Sequence, residues 1–482
     1  MRVTKKLNRL TKLILFLLVI VNFLSCSSED QLQEIKKSGK LVALTGYNAY
    51  SYFIYKGEPM GFEYDLVKKL ADHLGVSLEL IIVKDIRQMF DMLQSGKGDI
   101  IAFNLTITKE RTDEVDFTNS INTTKQVLVQ RKPENWRDMK LHEIEKELIR
   151  DPVDLIGKTI VVRNNSSYIQ RLQNLSEEIG GDINIVEAEP ELTIEDLIAQ
   201  VAKGEIDYTV SDDNIADLNE IYYSNIDVKT SISLSQRVAW AVKKNSNEFL
   251  EEINHWLDSL KTTSDFAVIY NKYFNNRYSY KRRVTSDYFS NTGGGISKYD
   301  DLIKKYCSAI GWDWRLGAAM IYQESQFDPD AKSWAGAVGL MQLLPRTGVQ
   351  YGSKNLSDPE QNIKAGFKYI SYLNDYWNEE VKDSLERIKF VLASYNIGLN
   401  HIVDARNLAL KYGANPDIWF DNVEYYLSLK SEPEYYSDEV VNAGYAKGEE
   451  AINYVKEILD RYEQYKQLIN LKTEAPLLSK FQ

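Results

Sequence analysis

Hydrophobic and polar positions follow three successive regimes along this chain. The first pairs a basic start, MRVTKKLNRLTK, with a twelve-residue run, LILFLLVIVNFL, and then SCSSED. A charged n-region, a short apolar core and small residues at the end predict a signal peptide over residues 1–25. The run is too short for a comfortable membrane span, which needs about 20 residues. After a tether over 26–38, short β-branched runs alternate with amphipathic stretches. LVALTG, VSLELIIV and DIIAFN read as strands. GFEYDLVKKLADHLG reads as a helix, with Phe62, Leu66, Leu70 and Leu74 on one face and Gly75 as its stop. This alternation predicts a parallel α/β layer.

The same grammar recurs in GKTIVVRNNS, SYIQRLQNLSEEIG, INIVEA, TIEDLIAQVAKG and EIDYTVSD. A second lobe is therefore expected at about 130–231, with the chain returning to the first through VAWAVKK. Residues 276–296 hold three consecutive glycines and no sustained period, which predicts a linker. From 297 to about 470 only helical spacing is found, and 471–482 reads as a tail. The expected architecture is multidomain: a two-lobed α/β domain over 39–275, then an all-α domain over 297–470.

Composition narrows the function classes. A chain of 482 residues with 44% hydrophobic content can fill two or three cores. A net charge of −12 argues against nucleic acid as the main partner. Only Cys26 and Cys307 are present, so no disulfide framework exists. Phe23-Leu24-Ser25-Cys26 resembles the lipobox of bacterial lipoproteins. That resemblance implies acylation of Cys26 and a lipid anchor; the alternative is an ordinary secreted protein. Ser27 after the cysteine leans towards the outer membrane. Cys307, in LIKKYCSAIGW, reads as a buried structural thiol.

In the helical part, Asp313 can cap a helix beginning near Trp314, and Pro329 requires it to end near Phe327. Glu324 then stands in the last turn, where the helix dipole and an apolar pocket both disfavour its charge. A carboxyl group with a raised pKa is suited to general acid catalysis. Glycosidases usually need two carboxylates, and Asp328 and Asp330 are the neighbours available. Both sit where a turn before and after Pro329 is expected.

ESQFDPDAKSWAGAVGLMQLLP, ASYNIGLN and EEAINYV together resemble the lytic transglycosylases of the lysozyme superfamily. The resemblance implies non-hydrolytic cleavage of the MurNAc–GlcNAc β-1,4 bond of peptidoglycan, leaving 1,6-anhydro ends. It implies Glu324 as the single catalytic group, with Ser333, Gln342, Tyr395, Asn396, Glu450 and Tyr454 binding substrate or shaping its cleft. No metal or other cofactor is implied.

Residues 39–275 resemble the periplasmic solute-binding proteins for polar amino acids, most clearly in FNLTITKERTDEVDFT. By that resemblance Thr106 and Arg111 hold a ligand carboxylate, Asp212 its ammonium, and Tyr50 covers it. Asn104 stands where Ser or Gly is usual, which leaves the ligand open. The combination resembles the membrane-bound lytic transglycosylase F group. It implies an amino acid or muropeptide regulating an enzyme anchored at the periplasmic face of a Gram-negative envelope. Two other readings stand beside it. One is a binding protein with a wall-gripping domain, the other a hydrolytic muramidase using Asp328 or Asp330.

Overall fold

A computed structural model describes residues 30–291 and 294–474. The expected signal peptide and Cys26 lie outside the described residues, as does most of the expected tail. Two compact units meet in the chain at Tyr52/Phe53, Met60/Gly61 and Lys281/Arg282.

The first unit is α/β. In one lobe the strands run in the order Ser77–Ile82, Lys40–Thr45, Ile100–Thr106, Gln236–Lys243, Val115–Phe117. The first three are parallel, as the alternating pattern predicts. Gln236–Lys243 comes back from the other lobe and pairs antiparallel with Ile100–Thr106. Helix Phe62–Leu74 buries Phe62, Leu66, Leu70 and Leu74 on one face. Helix Ile86–Gln94 sets Met89, Phe90 and Leu93 against Leu44, Ile101 and Phe103 of the sheet.

The other lobe departs from the expected parallel layer. Thr159–Val162 and Asn184–Glu187 are parallel, but Tyr208–Asp212 and Ile226–Ser231 both pair antiparallel with Gln126–Arg131. Gln126–Arg131 enters this lobe from the first one, so no crossover helix aligns it with its neighbours.

The second unit is built from helices, chiefly Asp300–Ala309, Trp314–Ser325, Pro359–Glu380, Ser384–Ile397, Leu399–Lys411 and Glu449–Glu474. Its core includes Ile303, Leu316, Phe367, Phe390 and Trp377, whose indole N–H donates to Ser394 Oγ at 2.9 Å. Cys307 is buried here, which pushes its thiol well above the usual range.

Three further features differ from the sequence expectation. Residues 31–38, within the expected tether, form helix Gln31–Ser38, because Leu32 and Ile35 are buried on one side and Gly39 stops it. Residues 277–284, within the expected linker, form helix Arg277–Val284, because RYSYKRRV holds no breaker and Tyr280, Arg283 and Val284 are buried. The hairpin Phe53–Tyr55/Glu58–Met60 lies inside the expected binding domain by sequence, yet belongs to the helical unit by contact. Its main chain pairs with residues 288–290: Lys56 N donates to Tyr288 O, and Ser290 N to Ile54 O. Its turn residue Gly57 has φ +80°, and its carbonyl accepts from Tyr465 Oη at 2.7 Å. A Cβ at Gly57 would stand 2.6 Å from the Phe327 ring.

Candidate active site

Helix Trp314–Ser325 begins at Asp313, whose carboxylate accepts from Arg315 N at 2.9 Å. It stops two residues earlier than expected, because Gln326 and Phe327 both take left-handed backbone (φ 51° and 63°). Such conformations are costly outside glycine and gather at functional sites. They place Glu324 in the final turn, partly exposed, with Ser325 beneath it donating to Leu340 O at 2.8 Å.

Burial pushes the Glu324 carboxyl up to about 7, against the opposing effect of a hydrogen bond from Tyr454. Tyr454 Oη donates to Glu324 Oε1; this tyrosine is itself 6% exposed, one turn into helix Glu449–Glu474. Tyr395 lies close enough for the Glu324 charge to raise its phenol pKa further, and it donates to Met341 O at 2.7 Å. Glu324, Tyr395 and Tyr454 thus form one cluster.

The segment after the helix is held by its own main chain. Asp328 Oδ1 accepts from Asp330 N at 3.0 Å, the turn chemistry expected of a residue before proline. Both aspartates are exposed. Ser333 N donates to Ala337 O, while Ser333 Oγ accepts from Ala337 N. Gln342, at φ 43°, donates to Ala331 O and Gly339 O.

The organising residue of this segment escaped the sequence reading. Asn362 is fully buried on helix Pro359–Glu380, accepts from Met341 N at 2.8 Å, and donates to Val338 O and Leu356 O. An amide on the apolar face of that helix was the available signal. Asn396 and Glu450 are exposed, and their side chains make no hydrogen bond among the described residues.

The α/β unit brings the other expected residues together. Tyr50, Thr106, Arg111 and Asp212 line one chamber of about 30 Å³ between the lobes. Burial lowers the Arg111 guanidinium to about 10 and raises Asp212 to about 7. Asn104 Nδ2 donates to Asp212 Oδ2 at 2.8 Å, and Arg111 donates to the carbonyls of Thr106 and Asn165. Arg163, in the same chamber, and Glu195 beside it were not found from sequence.

A two-lobed α/β unit is thus followed by a helical unit that carries the desolvated Glu324, and comparison with known proteins assigns the pair to the lytic transglycosylases that carry a solute-binding module. Residues 40–276 match the bacterial extracellular solute-binding proteins, family 3, and residues 301–418 match the transglycosylase SLT domain. Membrane-bound lytic murein transglycosylase F of Desulfosudis oleivorans is 38% identical over 91% of this chain and 93% of its own. The protein of that name from Pseudoalteromonas translucida is 32% identical over 97% of each chain. Among solved structures, the ancestral amino acid-binding protein AncCDT-1 is 26% identical, covering 51% of this chain and 99% of that one, with a TM-score of 0.41. The chain belongs to the membrane-bound lytic murein transglycosylase F family.

Proposed function

We propose that Glu324 is the one catalytic carboxyl group of this enzyme and serves as acid and then base. Its proton passes to the glycosidic oxygen between MurNAc and GlcNAc as the C1–O bond breaks. The resulting carboxylate then takes the proton of the muramic C6 hydroxyl as that oxygen bonds to C1, closing the 1,6-anhydro ring. The nucleophile belongs to the substrate, so proximity replaces an activated water and no second base is needed.

The observation that carries this reading is a desolvated carboxyl at about 7, contacted by the Tyr454 hydroxyl. Asp328 is exposed and occupied in a turn, which disfavours a two-carboxylate muramidase. Tyr395 and Tyr454 face the reacting centre in this reading, Ser333, Gln342 and Asn396 line the substrate path, and Glu450 stands in the first turn of the helix that carries Tyr454. Mass spectrometry of sacculi digested by the full chain tests it. Anhydro ends that disappear in Glu324→Gln are expected, whereas reducing ends would establish hydrolysis.

The chamber of the binding unit, in the same proposal, takes an amino acid or muropeptide that alters catalysis. Chain continuity supports this: Tyr50 lines the chamber, and three residues on begins the hairpin whose Gly57 packs on Tyr322 and Phe327, the neighbours of Glu324 in sequence. Unchanged turnover of sacculi under saturating amino acid and stem-peptide fragments would refute the coupling. Acylation at Cys26 and an outer-membrane anchor complete the reading, and metabolic labelling with a fatty acid, lost in Cys26→Ala, checks them.

A further inference from the structure

The chamber of the α/β unit holds more charge than one amino-acid backbone can satisfy. Asp212 is 3% exposed; Asn104 occupies its Oδ2, and its buried Oδ1 has no partner. Glu195, beside the chamber and within electrostatic reach of Tyr50 and Arg163, repeats the arrangement: Ala49 N donates to Oε1 at 3.2 Å, and the buried Oε2 has no partner. The two cations are arranged in the complementary way. Among the described residues the Arg111 guanidinium donates only to the carbonyls of Thr106 and Asn165. Arg163 is 8% exposed, lies over the Phe103 ring at 5.3 Å, and donates to Lys84 O at 3.1 Å.

Among the described residues no ion pair joins either arginine to either acid, although charge from Arg111 reaches Asp212 and charge from Arg163 reaches Glu195. Two guanidinium groups without an anion, and two carboxylates each with one idle oxygen, are costly to bury unless something completes them.

We infer that this chamber recognises an α,α′-diamino dicarboxylic acid, with Arg111 and Asp212 holding one zwitterionic end and Arg163 and Glu195 the other. Each arginine fork suits a carboxylate, and each idle oxygen accepts from an ammonium. A ligand with two zwitterionic ends matches the four groups and leaves the site neutral.

Each of the four residues also makes one hydrogen bond across the cleft: Asn104 to Asp212, Ala49 to Glu195, Arg111 to Asn165 and Arg163 to Lys84. At about 30 Å³ the chamber is too small for such a ligand. Entry therefore parts the lobes, and the ligand takes over the contacts that those four bonds now make.

This inference rests on the ligand-binding reading of the unit, and calorimetry on the full chain separates the two. The probes are meso-2,6-diaminopimelate, as a wall-derived diamino dicarboxylate, L-cystine, as one from thiol oxidation, and L-alanine. At least one of the first two should bind ten or more times more tightly than alanine, and the tighter of them identifies the source. Arg163→Gln and Glu195→Gln should each weaken that ligand at least tenfold while changing alanine affinity less than threefold. Arg163→Lys should recover part of the loss. Alanine binding as tightly as both, or variants without effect, overturns the second recognition pole and leaves the first. No binding of any probe overturns both.

Discussion

Glu324 couples stability and activity to the same proton. Its carboxyl sits at about 7 rather than 4.5 because burial penalises the charged form. Between those two values the folded chain binds a proton that the unfolded chain has already released, so stability falls as pH rises through the window. Glu324→Gln should therefore melt higher than the parent at pH 8, by on the order of 2 kcal/mol after allowance for its partial exposure, with the difference gone at pH 4. A constant difference across that range would reject the shifted carboxyl.

The acid must be protonated to act, so the activity profile should fall on its alkaline side near pH 7. Tyr454→Phe removes the hydrogen bond that holds the value down. It should move that limb upward and slow turnover roughly tenfold or more. At this scale much was legible in sequence: the cap at Asp313 and the break at Pro329 place Glu324 at a helix end. Arg163 and Glu195 were not legible, since each is one charged residue in an ordinary amphipathic segment until the fold sets them beside Tyr50.

The segment from Ala331 to Leu343 has little regular structure and depends on helix Pro359–Glu380 through Asn362. Asn362→Ala strands three buried main-chain groups and should cost about 3 kcal/mol in denaturant unfolding. Activity should fall as well, through Met341 and Gln342, without a change in the pH profile. Gly366 in the same helix has no room for a side chain, because a Cβ there would run into Met341 Sδ.

Among elements, those with a clean period were legible, such as Phe62–Leu74 and Ile86–Gln94. Two were not. The antiparallel pairing of Gln126–Arg131 depends on where a strand enters its lobe, which local pattern does not record. Helix Arg277–Val284 is held by burial of Tyr280, Arg283 and Val284, while its flanking polar and glycine-rich sequence reads as a linker.

For the whole molecule, domain order along the chain was legible, but domain membership was not. Residues 53–60 are read from sequence as part of a binding domain because β-branched and aromatic residues with a turn suit either unit. Their contacts assign them to the helical one. Gly57→Ala tests the assignment: a left-handed backbone and the Phe327 ring both oppose the new methyl group. The substitution should lower stability of the helical unit by about 1–3 kcal/mol and reduce cleavage of sacculi, read by calorimetry and anhydro-end release. Unchanged melting and activity would show the hairpin to be dispensable.

The hairpin also bears on how such a protein can be taken apart or recombined. A polypeptide that begins at residue 297 carries every transglycosylase motif and still lacks the strand pair whose Gly57 carbonyl satisfies the buried Tyr465 hydroxyl. Transplanted behind another sensor without residues 53–60, the helical unit would leave the buried Tyr465 hydroxyl without the Gly57 carbonyl. An exchange of sensors that keeps Gly57 against Tyr465 carries these eight residues along from within the discarded half.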